Sequence, residues 1–234
     1  MRFTIVDKSH YHAWRDSSLR SAPLLFTGCS WTYGDELHDR INERYSKIVS
    51  DHYGKASTNL GECGVSNDFI VRNTIGWLKK IQVEIVVIQF TVHQRLELFD
   101  DNGEILHCTP QRFRTEQEKV YYKNVYTDQI GVENLWKNLF LWDTFCKKRG
   151  QKYVALIADH YDNAIRFPDR VFDKGIGHWR KLCRDIPRTM LNMDVLGLMR
   201  QYPKHYAGGV HGGHPSALGH KKIADRIIQL IDAI

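Results

Sequence analysis

The chain lacks any apolar run approaching the roughly 18 to 20 residues that a membrane-spanning helix needs, so no transmembrane segment is expected. It also lacks a C-x-x-C pair. Its five cysteines, Cys29, Cys63, Cys108, Cys146 and Cys183, are odd in number and widely scattered, which argues against a disulfide framework or a zinc knuckle and for a reducing compartment. Met1 to Asp7 holds one Arg and an alternating Phe3 and Ile5, without the longer apolar stretch and small-residue cleavage site of a signal peptide. A cytoplasmic location is the expectation. Nor is there a block of basic charge to match the formal net charge of +6 and the pI near 9.0, which by themselves favour anionic partners. Lys147-Lys148-Arg149 and Lys221-Lys222 fall where helix surfaces are expected and read as solvated faces, so nucleic-acid binding is not expected.

What is present is an ordinary globular composition, 42% hydrophobic and 26% charged, on 234 residues, enough for one core. We read residues 1–234 as a single domain, with an N-terminal extension at 1–23 and insertions or lid segments at 99–130 and 160–206. Leu24 to Thr27 is too short for a helix and apolar on both faces, as a central parallel strand is. Glu36 to Tyr53 shows apolar spacings of three and four and reads as one helix ended by Gly54. Lys55 to Leu60 reads as a second strand, and Asn67 as the cap of a helix with Ile70, Val71, Ile75 and Leu78 on its apolar face. Val83 to Phe90, nearly all β-branched and apolar, is expected at the middle of the sheet. Val132 to Arg149 resumes a helix stopped by Gly150, Tyr153 to Ala158 is a fourth strand, and Pro215 to Ile234 a terminal helix with Pro215 in its first turn. Alternating strands and helices of this kind specify an α/β fold, a parallel sheet covered on both faces.

Ligands in such sheets bind at the carboxyl ends of the strands, so the residues just after each strand are the ones to weigh. Gly28-Cys29-Ser30 ends the first strand abruptly and leaves a small hydroxyl at a strand-to-helix turn. Ser30 is the candidate nucleophile, although by itself it reads equally well as a helix cap. Cys29 reads as a small buried thiol. His214, directly before the terminal helix, is the candidate base that would take the serine proton and return it to the leaving group. His211 and His214, with His205 or His220, have no clustered carboxylate or thiolate beside them, so neither a metal nor any other cofactor is expected. Phe113, Tyr121, Tyr122 and Tyr126 are candidates for a sugar-stacking wall, whereas Trp136 and Trp142 read as helix core.

The residues Gly28-Cys29-Ser30-Trp31-Thr32-Tyr33-Gly34 resemble the first block of the SGNH (GDSL-type) hydrolases, with Cys29 where the name-giving Asp usually stands. Asn59-Leu60-Gly61-Glu62-Cys63-Gly64-Val65-Ser66 is similar to the second block, which implies Gly64 as an oxyanion donor. His214-Pro215-Ser216-Ala217-Leu218-Gly219-His220 is similar to the last block, which implies His214 as general base. The blocks cover about a quarter of the chain in the family's order. The resemblance implies a three-layer α/β/α sandwich with a flavodoxin-like, mainly parallel sheet, its last strand within 190–210. It also implies a serine esterase acting on a small acyl ester or acylated glycan, with O-acetyl groups on carbohydrate as one substrate class.

The chain departs from the family pattern twice. Gln89-Phe90-Thr91-Val92-His93-Gln94-Arg95 stands where a Gly-x-Asn-Asp block is usual, which leaves Thr91, His93 and Gln94 as alternative side-chain donors. His211 occupies the position of the usual Asp and carries no fixed negative charge to support an imidazolium, so Asp159 or a dyad is the remaining option. These departures motivate a rival reading, a catalytically degenerate fold serving as a binding or assembly module. Homo-oligomers and larger assemblies are compatible with either.

Overall fold

A computed structural model describes residues 21–99, 102–110, 113, 115–158 and 213–234. Strand β1 (Ser21–Thr27) leads into a single helical turn, α1 (Ser30–Tyr33), and then into α2 (Arg40–Glu43) and α3 (Tyr45–Tyr53). Next come β2 (Ser57–Asn59), α4 (Asn67–Leu78) and β3 (Gln82–Phe90), followed by β4 (Leu96–Phe99) and β5 (Ile105–Cys108), which pair as an antiparallel hairpin. The chain continues through α5 (Glu116–Asn124), α6 (Asp128–Arg149), β6 (Lys152–Ile157) and α7 (Ala217–Ile231). Among the described residues, no helix is long and apolar enough to cross a membrane.

The main sheet has the order β2-β1-β3-β6 with every pair parallel. From β1 the chain steps outward to β2 and then back past β1 to β3, so right-handed crossovers place α3 on one face and α4 on the other. The step from β3 to β6 keeps the second direction, and α6 accordingly packs beside α4, while α7 packs beside α3. Three layers result, α on β on α, as the sequence pattern leads one to expect. Asp68 ties the α4–α6 layer together, accepting from Asn134 Nδ2, Lys137 Nζ and Asn138 Nδ2 at 2.7, 2.9 and 3.1 Å.

The core runs through the sheet. Leu24, Leu25 and Phe26 of β1, Val86 to Ile88 of β3 and Val154 to Leu156 of β6 are buried, and Tyr45, Trp142, Ile223 and Ile227 close over them from the helices. Burial of this apolar surface, at about 25 cal/mol per Å², holds the sheet, and the register Phe26↔Val87 and Val87↔Val154 aligns the carboxyl ends of three strands along one edge.

Four readings of the sequence need correction. Glu36 to Tyr53 is not one helix: Arg44 is extended at φ −70°, ψ 144°, and Glu36 sits at φ +65°, a left-handed conformation no α-helix admits. The apolar spacing survives the break, yet Ile41 is 57% exposed and so contributes nothing to the core. Ser66, not Asn67, caps α4, its Oγ accepting from Phe69 N. The helix read from Val132 begins four residues earlier, at Asp128 with Thr127 as its cap, and β5 and α5 lie within 99–130. Pro215 lies just outside α7, which Ser216 caps by accepting from Gly219 N. Segment 160–206 and the strand expected within 190–210 lie outside the described residues.

The loop after β2 is pressed against α1. Leu60 N donates to Phe26 O at 2.7 Å and Glu62 N to Gly28 O at 3.1 Å, while Asn59 Oδ1 accepts from Gly61 N and its Nδ2 donates to Thr32 O. A Cβ at Gly61 would stand 2.4 Å from Tyr33 N and 2.7 Å from Thr32 C, backbone atoms that cannot swing aside. Gly61→Ala is therefore expected to cost at least about 2 kcal/mol, as overpacking against fixed atoms does. Gly76, exposed near the end of α4 with nothing within 4 Å of a would-be Cβ, is the control. Gly76→Ala is expected to add about 0.5 to 1 kcal/mol by restricting the unfolded chain. Urea titration of both variants reads the contrast, and equal midpoints would contradict this packing.

Candidate active site

Ser30 is the first residue of α1, the one-turn helix closed by Gly34, whose φ of +86° lets its N–H return to Ser30 O. Directly after the carboxyl end of β1, Ser30 is 3% exposed, and its Oγ lies 3.0 Å from His214 Nε2. That is within reach for proton transfer between hydroxyl and imidazole. Two residues some 180 positions apart are thus brought together. Trp31 Nε1 helps fix the junction by donating to Gly213 O at 2.9 Å, which ties the loop before α7 to the serine's own turn.

The turn is held from behind by buried polar groups. Thr32 Oγ1 donates to Gln89 Oε1 at 2.6 Å and accepts from Tyr45 OH at 2.5 Å, and Gln89 Nε2 donates to Cys29 Sγ at 3.2 Å. Burial pushes the Tyr45 phenol well above its ordinary value and keeps it a donor. Gly28 is required here, because a Cβ would stand 2.1 Å from Thr32 Oγ1. Cys29 is 2% exposed, in keeping with a structural thiol.

Two carboxylates flank His214. Glu36 Oε1 lies 3.0 Å from Nδ1, approaching off the ring N–H axis, so that the contact is one of charge rather than a directed hydrogen bond. Asp35 Oδ2 lies 3.6 Å from Nε2. Asp35 also accepts from the thiol of Cys63, whose pKa is pushed up to about 12, first by burial and then by the Asp35 charge. Sequence reasoning missed Glu36 by placing it inside a helix; the only signal was an acidic pair directly after the glycine that ends α1. Asp159 and His211, the acids or substitutes considered from sequence, lie outside the described residues.

The other candidates are engaged as follows. Gly64 has φ +79° and open space where a Cβ would stand, in the loop that runs beside Gly28. Thr91 is buried with its backbone clamped by Asn67, whose Oδ1 accepts from Thr91 N at 2.7 Å and whose Nδ2 donates to Thr91 O at 3.1 Å. His93 is buried against the first turn of α6, its Nε2 3.4 Å from Asp128 Oδ1 and its ring against Gly131. Gln94 presents its carbonyl to Tyr122 OH at 2.6 Å. The rings of Phe113, Tyr121, Tyr122 and Tyr126 pack on one another at centroid separations of 5.1 to 6.5 Å, and Tyr122 OH also reaches Cys108 O. This cluster braces the segment after β3, while Trp136 and Trp142 are buried in the core.

No protein-family model and no curated relative matches the chain. Solved structures do. The chain is similar to the esterase EstA from Pseudoalteromonas sp. at a TM-score of 0.56 and 12% identity, over 90% of this chain and 96% of the other. It is likewise similar to a lipolytic protein of the G-D-S-L family from Desulfitobacterium hafniense, at TM-score 0.52 and 10% identity over 88% and 98%. A lipase/acylhydrolase from Enterococcus faecalis aligns at TM-score 0.50 and 18% identity, over 90% and 95%. The chain has the SGNH-hydrolase fold.

Within this fold a second histidine joins two helices of one layer. His220, fully buried on α7, accepts from Tyr45 N at its Nδ1 over 3.1 Å and stacks on the Tyr45 ring at 5.5 Å, joining α7 to α3. Burial above all, then the neighbouring His214 and Arg44, lowers its pKa from 6.5 to about 3. The unfolded chain therefore takes up a proton below pH 6.5 that the folded chain refuses until about pH 3. Stability from this group is complete above pH 6.5 and declines as pH falls through that window. His220→Gln, which keeps an acceptor for Tyr45 N, is expected to flatten this part of the curve of urea midpoint against pH; parallel curves for the two proteins would refute the assignment.

Proposed function

We propose that the chain is a serine esterase acting on a short acyl ester. The observation that carries this reading is the 3.0 Å approach of Ser30 Oγ to His214 Nε2 at the carboxyl edge of a parallel sheet. Ser30 Oγ attacks the ester carbonyl while His214 Nε2 takes the hydroxyl proton. The tetrahedral oxyanion is held by the backbone amides of Ser30 and Gly64. Collapse expels the alcohol, protonated by His214, and leaves an acyl group on Ser30. A water molecule, deprotonated by the same imidazole, then releases the acid and restores the serine.

The similar proteins include an esterase and a lipase/acylhydrolase, and the Pseudoalteromonas enzyme has been seen inhibited by monoethylphosphonate, which supports ester hydrolysis as the reaction class and a phosphonate as a probe. An open groove of about 570 Å³ runs along residues Gly34 to Ile41; Asp35 and Glu36, which flank His214, line it, whereas Ser30 and His214 themselves do not. Its walls include Asp35, Glu36, His38, Asp39 and Arg40, which suit a hydroxyl-rich alcohol better than a fatty chain. An O-acetyl group on carbohydrate is the substrate class we put forward.

The purified chain is expected to hydrolyse p-nitrophenyl acetate faster than p-nitrophenyl octanoate and to gain one fluorophosphonate adduct on Ser30 by mass spectrometry. Ser30→Ala is expected to lose the adduct and at least about 1,000-fold in kcat/KM, the scale on which a nucleophile is missed. A wild-type protein without turnover and without labelling would instead make this a noncatalytic binding or assembly module.

A further inference from the structure

We infer that Glu36 is the positioning residue for His214, a reading that rests on the esterase function proposed above. Three observations converge on it. Glu36 Oε1 is 3.0 Å from Nδ1, the ring nitrogen opposite the one facing Ser30. Its backbone is left-handed at φ +65°, and it is the one non-glycine residue with positive φ among the described residues. A conformation that L-residues avoid persists where the surrounding structure demands it, most often at a site. Finally, His211 stands where a carboxylate would be looked for, so the chain has no negative charge at that position.

The placement follows from the turn. Gly34 closes α1, the chain reverses through Asp35 and Glu36, and the Glu36 side chain comes up at the rear of the ring while Trp31 holds Gly213 in place. With the carboxylate behind it, Nδ1 keeps its proton and Nε2 presents a lone pair to the serine hydroxyl, the tautomer a base must have. Asp35 cannot substitute, since it faces Nε2 from 3.6 Å and already accepts from Cys63. Among the described residues, the charged or titratable groups facing His214 are Asp35 and Glu36 from this turn and His220 from α7, with Arg44 next to His220, and His220 is neutral because it is buried.

The test compares wild type, Glu36→Gln, Glu36→Asp and Glu36→Gly in the full chain. Glu36 is 41% exposed, so its charge is partly screened, and Glu36→Gln is expected to lose about 10- to 100-fold in kcat/KM for p-nitrophenyl acetate, less than a buried triad acid. Glu36→Asp recovers part of the rate. Glu36→Gly loses the rate while its thermal midpoint stays level or rises, because glycine accepts positive φ freely; that split separates a chemical role from a structural one. NMR of the His214 ring nitrogens, which reports which of them carries the proton, gives a readout independent of turnover. Wild-type rate and an unchanged ring tautomer in Glu36→Gln overturn the inference and leave the esterase reading standing. Absent turnover and labelling in the wild type overturn the esterase reading; the ring tautomer then still decides the pairing, upheld by a move of the proton away from Nδ1 in Glu36→Gln and overturned by none.

Discussion

A single buried hydroxyl, Thr32 Oγ1, couples the turn that carries Ser30 to the rest of the molecule. It donates to Gln89 in the central strand and accepts from Tyr45 on α3, and Gln89 in turn reaches Cys29, the residue before Ser30. Through its backbone N–H, Tyr45 extends the path to His220 on α7, the helix that follows His214. The Ser30 turn, the central strand and both helices of one layer therefore share one polar chain. Each buried polar group left without its partner costs about 1 to 3 kcal/mol, so the members hold each other in place. The path explains why the site is fixed although α1 is only one turn long and contributes little stability of its own.

Packing works with this chain. Gly28 admits Thr32 and Gln89, and Gly61 admits the backbone of α1, so both blocks come together only because two side chains are missing. Asn59 fills the junction, bonding Thr32 O, Ser46 Oγ and Gly61 N. The edge of the sheet is thereby converted into a layered platform on which Ser30 is set, with the second loop alongside. After β3, Asn67 plays a comparable part, clamping Thr91 by both its backbone groups, whereas Asn59 spans Thr32 O and Gly61 N.

How much of this was legible depends on whether the signal is local. The strands were readable because apolar runs such as Val86 to Ile88 are buried on both faces, and Ser30 and His214 because each sits directly beside a readable element. The α2–α3 break was not readable, since i+3 and i+4 spacing continues across Arg44 while Ile41 turns out to solvent. The β4–β5 hairpin was hidden because its strands are only four residues each, too short to establish alternation, and α5 because a short polar helix that packs through tyrosine hydroxyls and rings leaves little apolar periodicity. Asn67 looked like a cap because Asn caps helices, and tertiary contact with Thr91 overrode that local preference.

Glu36 belongs to a third kind, legible in neither pattern nor motif. Its position depends on a left-handed turn and on the meeting of two distant segments, and neither leaves a mark at residue 36 itself. What an imidazole base needs is a negative charge behind the nitrogen that does not touch the nucleophile, and the requirement is spatial: it names a side of the ring, not a place in the chain. Glu36, six residues after Ser30, comes to that side of the His214 ring because α1 ends after one turn and the chain doubles back. A longer α1 would carry residue 36 onward along the helix and leave the rear of the ring empty. The brevity of α1 and the positive φ of Glu36 are therefore two aspects of one constraint, a turn that places the Ser30 hydroxyl and a carboxylate at opposite nitrogens of a histidine that lies 184 residues further along the chain.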